Sequence, residues 1–257
     1  MRARIVNLLG VPINAVTMAE ALAEVDRAVS SRSRLLVGVV NAAKVVQMAD
    51  RPSLRYSVLG ADLILADGMS VVWACRWLGE RLPERVTGID LMQKILEAGT
   101  DRAYRIYFLG ATQEVLSATL ARVRREHPGV IIAGSHHGYF RSCDEGRVAR
   151  AIQGSRPDIL FVAMSSPRKE QFLARWAERI GVPVCHGVGG AFDVFAGKVR
   201  RSPRLWQSLG LEWLYRVAQE PTRLWKRYLV TNVLFVALVL NERWARKLPP
   251  APRVSPT

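Results

Sequence analysis

Residues 35–41 of the chain read LLVGVVN and residues 63–69 read LILADGM, two short apolar runs that each stop at a polar side chain. Similar runs recur along the chain with room for a helix between them, the pattern of βαβ units around a parallel sheet. We therefore expect an α/β fold, a Rossmann-like and mostly parallel sheet flanked by helices. The predicted strands are 35–40, 62–66, 105–109, 130–134, 159–163 and 183–188.

Helix start signals lie between these runs. Thr17 with Glu20 three residues later predicts a capping box that opens a helix through Val29. Thr112 is placed to cap a second helix that runs to about residue 127, and Pro167 suits the first turn of a third helix, through residue 180. The opening segment, RIVNLLGVPINAV at 4–16, predicts a hairpin or a pair of edge strands.

The strand and helix alternation stops after Gly197. Residues 198–227 are predicted to be helical but hinged, because Pro203 and Pro221 are natural helix starts and Gly210 weakens a continuous helix. The Pro-rich end, 248–257, predicts disorder. We therefore divide the chain into an α/β catalytic core, 1–197, and a basic, aromatic helical appendage, 198–257.

Charge is concentrated in this appendage. Residues 198–257 hold 12 Lys and Arg against 3 Asp and Glu, a net +9 of the chain's +15, interleaved with Trp and Tyr. Cations beside interfacial aromatic residues suit the surface of an anionic membrane. The longest uncharged run of the appendage, 228–241, has 14 residues, whereas a spanning helix needs about 20. We expect peripheral contact with the membrane and no spanning helix.

Composition limits the location and the partners. An isoelectric point near 10.6 predicts anionic partners, which include nucleic acid, phospholipid and phosphorylated substrates. Three cysteines, far apart and without CxxC spacing, predict reduced thiols. No signal-peptide pattern opens the chain. A cytoplasmic protein on the inner face of the cell membrane fits these features.

Polar residues at the carboxyl ends of the predicted strands are the first site candidates, because ligands of open α/β sheets bind there. Asn41 follows one strand, and Asp67 with Gly68 follows the next. A glycine after the acid permits a tight turn that would aim the carboxylate into the crevice. The alternative is structural: Asp67 caps a helix that starts near Ser70, and Asn41 caps the helix after its own strand.

Arg85 lies in ERVTGID, 84–90, before a glycine-containing loop and a helix that is predicted to begin near Asp90. A guanidinium beside a helix N-terminus is a plausible oxyanion or phosphate site. The alternative is a surface salt bridge with Asp90 as N-cap.

The run HGVGGAFDVFAG, 186–197, follows a predicted strand and offers backbone amides to a phosphate through Gly187, Gly189 and Gly190. It does not match a GxGxxG or a Walker loop. His186 is interpreted as a buried or loop histidine. The four histidines show no metal-ligand spacing, so we expect neither a metal site nor a cofactor.

MSSPRKEQF, 164–172, places Lys169 and Glu170 at a strand-to-helix junction on the same sheet edge. The alternative is that both side chains are solvated and that Ser165 and Ser166 cap the helix.

Together these segments resemble the WecG/TagA/CpsF glycosyltransferase family. The matching stretches are Asn41, Asp67-Gly68, ERVTGID, YFLG (107–110), HGYF (137–140), SSPRKE (165–170), GVGGAFDVFAGKVRRSP (187–203) and GLEWLYRVAQEPTRLWKRYL (210–229). They occur in the family's order from about residue 35 to 230, which is more specific than any single motif.

The resemblance implies an inverting transferase for bacterial cell-surface polysaccharides. It would move a sugar from a nucleotide-diphosphate donor, usually a UDP-sugar, to a polyprenyl-diphosphate-linked sugar. Asp67 is the candidate base for the acceptor hydroxyl, and Arg85 with the glycine-rich amides would stabilise the leaving diphosphate.

The appendage would then bind the acceptor. Arg216, Arg223 and Arg227 share one face if the segment stays helical across Pro221, and this face could hold the acceptor diphosphate. Trp213, Trp225 and Tyr228 would anchor in the headgroup layer. The alternative is that the arginines are solvated and the aromatic residues pack on the core. Homo-oligomers are compatible with this arrangement.

Two residues depart from the family pattern. Val39 stands where many members have threonine, and Lys169 stands where they have glutamine. A lysine offers only a cation where an amide both donates and accepts, so N-acetylmannosamine and a hexose are both open as donor sugars.

Two other functions compete with this one. A non-catalytic Rossmann-like protein that binds anionic lipid or nucleic acid would explain the isoelectric point, but no nucleic-acid motif is present and the charge lies beside apolar residues. We therefore do not expect a nucleic-acid partner. A nucleotide-dependent oxidoreductase or epimerase would need a GxGxxG after the first strand, and the chain lacks it.

Overall fold

A computed structural model describes residues 4–219 and 221–247 of the chain, without the side chains of Arg204, Ser208, Arg223, Leu224, Arg227 and Lys247. The predicted disordered end, 248–257, lies outside the described residues. The strands are β1 Ile5–Leu8, β2 Val11–Asn14, β3 Leu35–Val40, β4 Leu63–Ala66, β5 Arg105–Gly110, β6 Ile131–His136, β7 Ile159–Ala163 and β8 Val184–Gly187.

Six of these strands form one sheet in the order β4-β3-β8-β7-β5-β6, and every pair in it is parallel. The α/β, Rossmann-like prediction is confirmed, and all six predicted strands are present within two residues of their expected ends. Strands β1 and β2 form a separate antiparallel hairpin, as predicted. The hairpin is joined to the main sheet because the Ile64 amide donates to the Asn14 side chain at 2.7 Å.

Twelve α-helices connect and cover the strands in the described part of the chain. They are α1 Met18–Ser31, α2 Ala42–Asp50, α3 Pro52–Leu59, α4 Met69–Trp77, α5 Gly88–Arg102, α6 Gln113–Glu126, α7 Glu145–Ser155, α8 Arg168–Ile180, α9 Ala191–Phe195, α10 Arg204–Ser208, α11 Glu212–Gln219 and α12 Pro221–Lys247. Thr17 and Glu20 form the predicted capping box of α1, and Thr112 caps α6. Pro167 directly precedes α8.

The sheet is buried on both faces except at its edge strand β6, as expected when parallel strands carry helices on each side. On one face Phe108 and Phe161 pack edge to face, with ring centroids 5.8 Å apart, within the larger apolar cluster. On the other face Leu36 and Leu160 pack against α7 and α8. Polar side chains that could bind a ligand therefore lie mainly where the buried strands end.

The hinges predicted after residue 197 are present. Helix α10 follows Pro203, Gly210 adopts a φ of +65° between α10 and α11, and α12 begins at Pro221. The rings of Trp213 and Tyr228 lie 6.0 Å apart, whereas fifteen residues of straight helix would separate them by about 22 Å. Helix α12 therefore folds back on α11.

The predicted common face of Arg216, Arg223 and Arg227 required a helix that continues across Pro221, and this condition is not met. The side chains of Arg223 and Arg227 lie outside the described residues.

Helix α12 packs against α2 of the core. Phe235 and Val239 are each 4% exposed and belong to the cluster that holds Val45 and Met48 of α2. Arg243 stacks on the Trp77 ring at 4.5 Å, and Arg246 donates to the Leu78 carbonyl at 3.2 Å. The division at residue 197 stays a prediction, and α12 contributes directly to the packing of residues 1–197.

The rest of α12 presents apolar side chains to solvent, namely Leu229, Val230, Val233, Leu234, Val236, Leu240 and Trp244. Across the described ranges, every helix is either too short or too polar to cross a lipid bilayer.

The packing of α12 generates a stability prediction. Phe235→Ala removes a buried ring, so we expect the free energy of unfolding to fall by about 3 kcal/mol in urea titration. Val236→Ala, at a neighbouring site that is 56% exposed, should change it by less than about 0.5 kcal/mol. Equal effects of the two substitutions would show that α12 does not pack as described.

Candidate active site

Three chain segments meet at the carboxyl edge of the sheet because β3 pairs with both β4 and β8. Val40 pairs with Ala66, so Asn41 and Asp67 follow neighbouring strand ends. Val37 pairs with His186, which brings the glycine-rich segment after β8 to the same edge. The candidate residues from 41, 67 and 187 onward therefore lie at one edge of the sheet, and we call the space beside this edge the crevice.

Asn41 has the structural role that was its alternative. Its side-chain oxygen accepts from the Lys44 amide at 3.0 Å and caps α2. This hydrogen bond fixes the side-chain amide of Asn41 at the carboxyl end of β3.

Asp67 does not cap a helix. The N-cap of α4 is Gly68, and no side chain accepts from the first turn of that helix. Gly68 has a φ of +148°, a conformation that favours glycine and turns the chain directly after the acid. The Asp67 amide donates to the Val40 carbonyl at 2.8 Å, which fixes the backbone of Asp67. Its carboxylate makes no capping hydrogen bond to α4.

The surroundings of Asp67 favour a proton acceptor that is stronger than an ordinary aspartate. Burial raises the pKa of the Asp67 carboxyl, and the charge of Glu212 raises it further. The cations of Arg216, Lys44 and Arg85 act in the opposite direction. These residues come from α11, α2 and the loop before α5, so the C-terminal helices complete the crevice.

Arg85 joins the core to these C-terminal helices. Its position follows from the next residue, since the Val86 amide donates to the carbonyl of Ala66 at the end of β4, at 3.1 Å. The guanidinium donates to Glu212 at 3.0 Å and to Gln207 at 3.1 Å, and the side chain is only 14% exposed. The salt-bridge alternative thus describes Arg85, although the pair is largely buried.

The helix that follows Arg85 begins earlier than predicted. Thr87 is the N-cap of α5, because its hydroxyl accepts from the Asp90 amide, so the interpretation of Asp90 as N-cap is wrong. Asp90 lies in the first turn and forms an ion pair with Arg201.

Lys44, Glu170 and Lys169 form a buried charged triad beside Asp67. The ammonium of Lys44 donates to Glu170 at 2.8 Å and to the Val39 carbonyl at 2.6 Å, and that of Lys169 lies 3.0 Å from the same Glu170 oxygen. All three side chains are buried, so the solvated alternative for Lys169 and Glu170 is wrong. Ser165 and Ser166 do not cap α8.

Sequence reasoning missed Lys44. It stands three residues after Asn41 on a helix with a buried face, and a lysine inside that apolar pattern was the available signal. Burial and the repulsion of Lys169 lower its pKa to about 8. Burial opposes the ionisation of Glu170, yet the two ammonium groups lower the pKa of Glu170 to about 2.

The glycine-rich segment is shaped around Lys169. A Cβ at Gly187 would come within 3.0 Å of the Lys169 Cε atom, and a Cβ at Gly189 within 3.6 Å of its Nζ atom. At Gly190 the nearest atom to such a Cβ is an Asp193 carboxylate oxygen at 3.9 Å. Gly187 therefore admits the lysine stem, and the amides of Gly189 and Gly190 remain candidates for phosphate contact.

His186 is buried in β8, where its Nε2 atom lies 3.0 Å from the Gly88 carbonyl. Burial lowers its pKa to about 4, so the ring is neutral near pH 7. This agrees with its interpretation as a structural histidine.

A parallel sheet whose carboxyl edge joins an uncapped acid to several cations defines an enzyme of the α/β class that binds an anionic ligand. The chain belongs to the glycosyl transferase WecG/TagA/CpsF family, whose model matches residues 6–249. It is therefore a glycosyltransferase, and the binding-only and oxidoreductase alternatives are set aside.

Two curated relatives carry the name N-acetylglucosaminyldiphosphoundecaprenol N-acetyl-beta-D-mannosaminyltransferase. The protein from Bacillus spizizenii is 37% identical over 195 residues, which cover 75% of each chain. The protein from Bacillus subtilis is 33% identical over 192 residues, 75% of this chain and 74% of its own.

The buried triad generates a stability prediction. Glu170→Gln leaves two buried ammonium groups without a carboxylate, so we expect the free energy of unfolding at pH 7 to fall by about 3 kcal/mol. The folded pKa of Glu170, about 2, lies below its ordinary value of 4.5. The contribution is therefore complete above pH 4.5 and is lost as the pH falls toward 2.

Denaturant titrations between pH 7 and pH 2 measure this contribution. As control, Glu97→Gln removes a carboxylate that pairs with Lys94 and is 53% exposed, with an expected effect below about 0.5 kcal/mol. If wild type and Glu170→Gln lose stability in parallel on acidification, the triad does not stabilise the fold.

Proposed function

We propose that the chain is an inverting glycosyltransferase that moves a sugar from a nucleotide-diphosphate donor, a UDP-sugar, to a polyprenyl-diphosphate-linked sugar. The product serves bacterial cell-surface polysaccharide biosynthesis. The observation that carries the proposal is the carboxylate of Asp67, which is partly buried, caps no helix and is acted on by the charges of Lys44, Arg85 and Arg216. The names of the two relatives, which specify an undecaprenyl-diphosphate sugar acceptor, support the acceptor class.

In the proposed reaction the acceptor hydroxyl oxygen attacks the anomeric carbon of the donor while its proton passes to Asp67. The bond between the anomeric carbon and the diphosphate oxygen breaks, and UDP leaves with the electron pair. Attack on the face opposite the leaving group inverts the anomeric centre. A carboxyl whose pKa is raised accepts the proton more readily than an ordinary aspartate, provided that it is ionised at the start.

The leaving diphosphate gains negative charge, which fixed cations stabilise in a crevice with little water. Arg85 and Arg216 act within range of Asp67, and the amides of Gly189 and Gly190 lie at the same sheet edge. We assign these groups to the diphosphates of donor and acceptor. Arg223 and Arg227 remain proposed acceptor contacts on the basis of sequence alone.

Membrane attachment is proposed to occur through the exposed apolar face of α12. Val233 is 61% exposed and Trp244 is 72% exposed, and both lie in the appendage, 198–257, which carries +9 of the chain's net charge of +15. Such a helix lies in the membrane interface and holds the crevice near a lipid-linked acceptor. The protein would then be cytoplasmic and peripheral on the inner face of the cell membrane.

The identity of the donor sugar is to be determined by experiment. A panel of UDP-sugars incubated with pure protein and a polyprenyl-diphosphate sugar, followed by mass spectrometry of the product, identifies donor and acceptor together. A mass increase of one sugar residue supports the transferase. Failure of every donor with a competent lipid acceptor would reject it.

Asp67→Asn tests the base. Because the amide cannot accept the acceptor proton, we expect the transfer rate to fall by roughly a thousandfold or more. UDP affinity, measured by calorimetry, should stay within about threefold, since the nucleotide contacts other groups. Asp50→Asn, at the exposed end of α2, is the matched control. Full activity of Asp67→Asn would remove Asp67 as the base.

A second variant tests membrane attachment. We expect Val233→Ser combined with Trp244→Ser to weaken co-sedimentation with vesicles of anionic phospholipid by tenfold or more, because both side chains lose apolar contact. Tyr139→Ser, which removes a ring that is 73% exposed outside α12, should leave binding unchanged. Equal losses in both variants would argue against α12 as the attachment surface.

A further inference from the structure

Arg85, Arg201 and Arg216 are linked by two hydrogen-bond acceptors from the C-terminal helices. Glu212 accepts from Arg85 at 3.0 Å and from Arg216 at 3.4 Å. The Gln207 side-chain oxygen accepts from Arg85 at 3.1 Å and from Arg201 at 3.3 Å. Within the described residues, both hydrogen bonds of the Arg85 guanidinium therefore go to C-terminal residues.

From this geometry we propose that Glu212 is a positioning residue of the transferase. Its carboxylate holds the guanidinium groups of Arg85 and Arg216 as one cationic pair beside Asp67. The proposal rests on the function proposed above and assigns a residue that the sequence reasoning did not select.

The backbone around Glu212 supports a fixed position. Glu212 opens α11, directly after the turn at Gly210 that separates it from α10. A Cβ at Gly210 would come within 2.6 Å of the Trp73 ring and 3.1 Å of Met69, so the turn is in close contact with α4. An acid in the first turn of a helix is also favoured by the helix dipole.

Charge explains why a carboxylate is needed there. Two guanidinium groups held together repel each other, and a carboxylate between them removes most of that repulsion. The Glu212 side chain is 23% exposed and that of Arg85 is 14% exposed, so water screens this ion pair only in part, whereas Arg216 is 42% exposed and is screened more. When a diphosphate arrives, its oxygens meet a pair of cations that is already in place.

Glu212 also acts on Asp67. The charged groups that face Asp67 are Glu212 and Arg216 from α11, Lys44 from α2 and Arg85 from the loop before α5. The negative charge of Glu212 raises the pKa of Asp67, whereas the three cations lower it. Removal of that negative charge therefore lowers the pKa of Asp67 and makes it a weaker base that is ionised to lower pH.

The test compares Glu212→Gln with Glu212→Asp in the full chain. For Glu212→Gln we expect kcat to fall roughly tenfold and the acidic limb of the pH profile to move to lower pH. Glu212→Asp keeps the charge and should keep the acidic limb at the wild-type position.

Glu242→Gln is the matched control. Glu242 on α12 pairs with Arg246, with side chains 32% and 35% exposed, and it contributes to holding a C-terminal helix without acting on Asp67. We expect it to leave kcat and the acidic limb unchanged. An unshifted acidic limb in Glu212→Gln, with or without a loss of kcat, would overturn the positioning role.

A second measurement separates this inference from the transferase proposal. Carboxyl carbon NMR of labelled aspartate, with Asp67→Asn as the assignment control, reports the pKa of Asp67 without any turnover. We expect Glu212→Gln to lower it, and an unchanged value would reject the inference. If the wild-type protein transfers no sugar, the proposed function fails while this titration still decides the role of Glu212.

Discussion

The pairing of β3 with β4 on one side and β8 on the other is the constraint on which the site depends. These strands are distant in the chain, yet their carboxyl ends form one edge because all three run parallel. Buried strands satisfy their backbone groups within the sheet and leave polar side chains only where they end. Asn41, Asp67 and the segment after Gly187 meet for that reason.

Burial then gives the meeting residues their chemistry. An aspartate in water would be a weak base, whereas burial and the neighbouring Glu212 raise the pKa of Asp67. Burial of an unpaired ammonium group would cost much free energy. For Lys44 and Lys169 this cost is reduced because both form ion pairs with the carboxylate of Glu170. The crevice therefore keeps positive charge near its acid without exposing that charge to water.

The C-terminal helices belong to the site as much as to the surface. Helix α12 packs on α2 through Phe235 and Val239, and α2 also carries Lys44. Helix α11 brings Glu212 and Arg216 to the crevice. The C-terminal segment thus has two roles: α12 exposes apolar side chains to solvent, and α11 places charged side chains near Asp67. This combination suits an enzyme whose acceptor is proposed to carry a lipid.

The sequence by itself determined the sheet, its six strands, the caps at Thr17 and Thr112, and the hinges at Pro203, Gly210 and Pro221, because these features depend on local periodicity and backbone preference. It also made Asp67 a candidate site residue, because the residue follows a predicted strand and precedes a glycine. The sequence offered Asn41 and Asp67 both as caps and as site residues, and the structure shows that Asn41 caps a helix and Asp67 does not. Only the tertiary structure decided that Lys44 joins Glu170 and that Arg85 meets Glu212. Those two contacts link residues 126 and 127 positions apart, and the strand order and the placement of α11 that create them leave no local pattern in the chain.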